Sequence, residues 1–134
     1  MTARAAGTFE VKLVPQSSDS PTDGAPIGRL SIDKQFHGDL EATSKGEMLS
    51  GGDPSTGSAG YVALERASGT LHGLRGTFIL QHSGTMSPTA QHLTITVVPG
   101  SGTGALAGLA GAMTIVIAKG KHSYTFEYTL GRLL

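Results

Sequence analysis

Turn signals punctuate this chain from end to end, and the segments between them alternate apolar and polar side chains. The segment HLTITVV (92–98) is the clearest, with Leu93, Ile95 and Val97 set against His92, Thr94 and Thr96. That period of two marks a strand with one face buried. Leu30, Ile32 and Phe36 repeat the pattern around Ser31, Asp33 and Gln35. Strands are also read at 7–15, ending at Pro15, at 40–49, at 61–71 with a bulge near Ser68 and Gly69, and at 77–86. The segment 113–130 folds back on itself about a Lys-Gly-Lys tip at 119–121. Tight turns are expected at 37–39, 72–76 and 87–90, and loops at 17–26, 50–60 and 99–111. Short connections force antiparallel neighbours, because parallel strands need a long crossover. A meander of about eight or nine strands either leaves two open edges or closes into an up-and-down barrel. A two-sheet sandwich is the alternative.

Composition agrees. The chain has 134 residues, twenty glycines and 15% charged residues, an unusual balance for amphipathic helices. That length suits one domain, residues 1–134, able to bury a core or enclose a modest cavity. Ten basic residues offset ten acidic ones, so no electrostatic footprint for nucleic acid or an anionic membrane exists. There is no cysteine, which removes disulfides and thiolate chemistry. No apolar run is long enough to span a bilayer as a helix. The first residues, MTARAAGTFEV, carry no apolar signal core, so cytoplasmic residence is expected.

Few residues carry obvious chemistry. The glycine-rich stretch GSGTGALAGLAG (100–111) lacks the strand, helix and lysine of a phosphate loop, and reads as a close-packed loop with at most one helical turn. The five histidines, His37, His72, His82, His92 and His122, show no metal-ligand spacing, so neither a metal nor a cofactor is expected. SGTMS (83–87) is no nucleophile elbow. His82 differs from the other histidines in lying inside a strand, between Gln81 and Ser83. It is either a hydrogen-bonded strand residue or an acid or base. In YVALER, Tyr61, Ala63 and Glu65 share one face, and Val62, Leu64 and Arg66 the other. If the tyrosine face points inward, Glu65 lies in the lumen, and burial should raise its pKa toward neutrality. If not, Glu65 is a surface charge. Tyr124, Phe126 and Tyr128 form the densest aromatic row, either core packing or a cavity wall with hydroxyls that orient a ligand.

The strings YVALER, GTLHGLRGTFILQHSGTM, VVPGSGTGALAGLAG and HSYTFEYTL, in that order, resemble the bacterial domain-of-unknown-function family 3224 over about residues 7–131. The resemblance implies an eight-stranded antiparallel closed barrel similar to plant allene oxide cyclase. By analogy with that cyclase, it implies Glu65 as the lumen carboxylate. It implies no assigned reaction.

The reading is therefore an all-β, eight-stranded antiparallel closed barrel that binds a small molecule in its lumen. If catalytic, it acts as a cyclase or isomerase by confinement. Glu65 and His82 are the candidate catalytic groups, and Tyr61, Gln81, Tyr124 and Tyr128 the candidate ligand contacts. Gln81 and His82 alternate, so only one faces inward unless a bulge intervenes. The alternatives are a non-catalytic carrier, or a structural module whose lumen is filled by Leu93, Ile95, Val97, Ile115 and Ile117, or which uses them as a subunit interface. Outward apolar rows point to a homo-oligomer.

Overall fold

The computed structural model describes residues 2–19 and 23–131. Eight strands follow one another in chain order: β1 (Ala3–Ser18), β2 (Ile27–Gly38), β3 (Leu40–Asp53), β4 (Ser58–Leu71), β5 (Leu74–Met86), β6 (Gln91–Val97), β7 (Leu109–Ala118) and β8 (Lys121–Leu130). Each pairs antiparallel with the next, and β1 pairs with β8 from Ala3↔Tyr128 to Phe9↔His122, closing the barrel. Among the described residues no helix is long and apolar enough to cross a membrane.

Strand parity decides what lies inside. Ile32, Lys34 and Phe36 face inward from β2, Leu40, Ala42 and Ser44 from β3, and Ala63, Glu65, Ala67 and Leu71 from β4. β5 contributes Phe78, Leu80 and His82, and β8 contributes Tyr124, Phe126 and Tyr128. Small residues on β3 and β4 leave room for the large rings opposite, which is how a narrow barrel fills without strain. Phe78 and Phe126 stack at 5.9 Å, and Phe36 meets Tyr124 edge-on at 5.5 Å.

The two ends differ. One end carries the turn between β2 and β3, the turn between β4 and β5, and the loop from β6 to β7. This end is sealed. A short 3₁₀ turn, Gly104–Leu106, sends the fully buried Leu106 into it. The loop before that turn replaces a missing partner strand along β5. The Thr77 amide donates to Thr103 Oγ1 and the Ile79 amide to Ser101 Oγ, both at 3.0 Å. That is the role of the glycine-rich stretch. Tyr124 and Tyr128 also serve this end. The Tyr124 hydroxyl accepts from the Leu40 amide at 2.9 Å and donates to the His37 carbonyl at 2.9 Å. The Tyr128 hydroxyl meets His72 Nδ1 at 2.5 Å.

Several expected boundaries move. β1 begins at Ala3 and runs past Pro15 to Ser18, with a register shift between Pro15 and Ser17, where proline has no N–H to give. Of the loop expected at 17–26, residues 20–22 lie outside the described residues. Most of the loop expected at 50–60 is strand, since β3 and β4 extend into it around a 3₁₀ turn, Pro54–Thr56. β7 starts at Leu109, inside the stretch read as loop. The bulge expected at Ser68 and Gly69 is absent, for the register runs unbroken through Gly69↔Ala42 and Gly69↔Gly76. Gly69 is there for proximity. A Cβ on it would stand 2.1 Å from the Glu41 carbonyl oxygen and 2.6 Å from Ala42 Cα.

This contrast is testable on one strand. Gly69→Ala should destabilise the protein by about 1–3 kcal/mol, the usual cost of forcing atoms into a packed site. Gly60→Ala, whose Cβ would meet nothing nearer than 3.6 Å, should change stability much less. Urea unfolding of both variants checks it.

Candidate functional site

The open half of the barrel is not filled. A cavity of about 480 Å³ enters from the mouth formed by the ends of β1, β3, β5 and β7 and the starts of β2, β4, β6 and β8. Its walls are mainly apolar, including Val11, Leu13, Ile32, Met48, Ile115 and Ile117. A volume of this size suits a small organic molecule. Lys34, Tyr61 and His82 are the polar groups at its inner end, and Phe9 packs against Lys34 and His122 there.

Directly beneath lies Glu65, with no exposure to solvent. Its carboxylate accepts from Lys34 Nζ at 2.8 Å and from Ser44 Oγ at 2.5 Å, and contacts His82 Nε2 at 2.5 Å. His82 Nδ1 lies 3.2 Å from the Tyr61 hydroxyl. The Lys34 ammonium sits over two rings, 5.0 Å from the centre of Phe9 and 5.3 Å from that of Phe36. Among the described residues no buried side-chain polar atom lacks a partner.

Glu65 carries the opposite pKa shift from the one expected. Burial is the largest single influence and pushes its carboxyl up. The hydrogen bonds and charges of His82 and Lys34 together more than reverse it, holding the carboxyl at about 2. Glu65 is thus an anion at neutral pH and no reservoir of protons. Burial, and then the Glu65 charge, push the Tyr61 phenol above its ordinary value, so it stays protonated.

Chemically this is a relay. An ionised Glu65 fixes a proton on His82 Nε2, so in the neutral imidazole Nδ1 accepts from Tyr61. The logic is that of a carboxylate–histidine–hydroxyl triad, with a phenol in the hydroxyl place. The Tyr61 ring is seated by Gly84, where a Cβ would stand 2.7 Å from the ring carbon Cε1.

Of the residues singled out in the sequence, Tyr61, Glu65 and His82 come together. Gln81 does not join them. It is exposed on the outer wall, because β5 turns Leu80 and His82 inward. Tyr124 and Tyr128 face inward but spend their hydroxyls on the sealed end, away from the cavity. Lys34 and Ser44 were missed. Lys34 had a signal, since it shares parity with Ile32 and Phe36, and a lysine in an inward row needs an anion. Ser44 had none beyond its parity with Leu40 and Ala42. Among the described residues no cluster of three or more His, Asp or Glu could hold a metal ion.

Fold and site together define a small antiparallel barrel, sealed at one end and hollow at the other, with a buried charged network between. A family model described as "Protein of unknown function (DUF3224)" matches residues 5–128, and the chain belongs to that family. It is also similar to the crystal structure of a protein of unknown function from the DUF3224 family of Shewanella oneidensis MR-1. The identity is 44%, the TM-score 0.92, and the match covers 98% of this chain and 100% of that one. No curated protein matches the chain.

The charged network makes two predictions. Glu65→Gln leaves Lys34 buried without its anion and should cost about 3–5 kcal/mol, largely recovered in the double variant Lys34→Met, Glu65→Leu. Denaturant unfolding of the three proteins decides it. The second concerns acid. The Glu65 pKa falls from 4.5 to about 2 on folding, so its contribution is complete above about pH 4.5 and is lost as pH falls toward 2. A difference of this size corresponds to something on the order of 3 kcal/mol. The stability of Glu65→Gln should therefore fall less steeply over that range than that of the parent.

Proposed function

We propose that the protein binds a small, mostly apolar organic molecule in the barrel mouth, and that it promotes an intramolecular isomerisation or cyclisation by confinement. The observation that carries this reading is the apolar-walled cavity of about 480 Å³ ending on Tyr61, His82 and Lys34. Confinement selects one folded conformer of a flexible molecule and keeps water from it. Tyr61 is the group that would touch the reacting atoms, exchanging a proton through His82. Glu65 and Lys34 act through these two and are positioning residues.

A non-catalytic carrier is the second reading. One observation favours it: both His82 nitrogens and both Glu65 oxygens are already engaged, so no free base faces the cavity. Self-association is part of the proposal as well. Leu49 and Val62 pair across β3 and β4 on the outer wall, and Leu64 extends the same exposed apolar strip.

Native mass spectrometry of the purified protein and calorimetric titration with apolar carbonyl compounds test the reading. One molecule should bind per chain, and Ile115→Trp, which fills the cavity, should abolish binding. Tyr61→Phe should retain binding and lower any turnover by about 10²–10⁴-fold. An unchanged turnover in that variant leaves the carrier. Binding that survives Ile115→Trp in a folded protein removes the cavity as the site.

A further inference from the structure

The Tyr61–His82–Glu65 chain contains a reversible element. The ionised Glu65 carboxylate holds one proton on His82 Nε2, across 2.5 Å. While Nδ1 is bare, the single Tyr61 proton is committed to it across 3.2 Å. The phenol oxygen then offers the cavity only lone pairs. When His82 takes a second proton, Nδ1 becomes a donor and the bond reverses, so that the Tyr61 oxygen accepts. The phenol proton is freed to swing toward the cavity. One proton on a buried imidazole thus inverts the hydrogen-bond polarity of a neighbouring group without moving a heavy atom.

The surroundings leave His82 as the place for that proton. The charged and titratable groups packed around it are Glu65 and Tyr61 from β4 and Lys34 from β2. Ser44 from β3 adds a neutral donor to Glu65. Farther round the cavity stand His92 from β6 and His122 from β8, while β7 supplies the apolar Ile115 and Ile117. Glu65 has three partners and stays ionised. Lys34 faces the cavity as a donor in either state. With His82 neutral, Lys34 and Tyr61 give the inner end of the cavity one donor and one acceptor, which suits a hydroxyl. With His82 protonated, it offers two donors, which suit a carbonyl oxygen.

We propose that Tyr61 reads the polar group of an apolar carbonyl ligand, and that protonation of His82 switches the cavity into the state that accepts it. This rests on the binding reading above and names the ligand chemistry and its control.

The switch can be tested with and without a ligand. Imidazole ¹⁵N spectra, recorded from about pH 4 to about pH 9 to bracket imidazole titration, should show His82 as the Nε2–H tautomer at the upper end. They should show it doubly protonated at the lower end, with the resonance assigned by its loss in His82→Asn. Camphor and borneol are a matched ketone and alcohol small enough for the cavity. Calorimetry should find the ketone-to-alcohol affinity ratio about tenfold higher below the His82 transition than above it, the worth of one hydrogen bond made or lost. In Tyr61→Phe the ratio should be flat. A His82 that keeps one protonation state throughout overturns the proposal and leaves ligand binding standing. So does a pH-independent ratio with both probes bound. Failure of these probes and of the wider carbonyl panel to bind defeats both readings.

Discussion

Everything in this molecule depends on the pairing of its first strand with its last. Without the β1–β8 ladder the strands form an open sheet, and no residue has an inside to face. With it, strand parity becomes an instruction, for every second residue is delivered to a lumen barely wide enough for side chains. Phe36, Phe78, Phe126, Leu71 and Leu106 fill the sealed half of that lumen. Toward the mouth the lining mixes larger side chains such as Leu13, Met48 and Ile117 with the small Ser50, Ala59 and Gly84. These small residues are part of what leaves the cavity open.

A charged network marks the boundary between the two halves. Burying Lys34 and Glu65 is expensive, and an apolar pair of similar volume would serve stability nearly as well. Their geometry explains what they do for the neighbours. Glu65 orients His82, His82 engages Tyr61, and Lys34 is held against Phe9 and Phe36 at the cavity's inner end. The polar part of the site therefore stands on strands within a closed ladder, where small displacements are resisted by the whole sheet.

The architecture was legible from the sequence because turn chemistry and period-2 patterning are local. The two-residue turn at His72-Gly73 and the tip at Lys119-Gly120 both take the left-handed backbone that such hairpins require. Strand ends were less legible. Glycine and serine around 50–60 read as loop, yet a closed ladder recruits them as strand. The site was legible by parity alone, which placed Glu65 with Tyr61 and left Gln81 and His82 as rivals for the lumen. The sign of the Glu65 shift was not, because it depends on His82 and Lys34, brought to it from other strands. Nor were the roles of Tyr124 and Tyr128, whose hydroxyl partners lie in turns far away in the chain.

The ladder is uneven. β6 follows β5 from Leu80↔Val97 to Met86↔Gln91, but meets β7 at Thr96↔Ala112 alone. Beyond that pair, toward the mouth, β6 is held by one neighbour instead of two. Local opening costs least where a backbone has fewest partners, so amides along this seam should exchange faster than those of strands paired on both sides. Leu93 and Ile115, on either side of it, both line the cavity. Parting β6 from β7 to widen the mouth therefore breaks fewer ladder pairs than parting any other two neighbouring strands of the barrel.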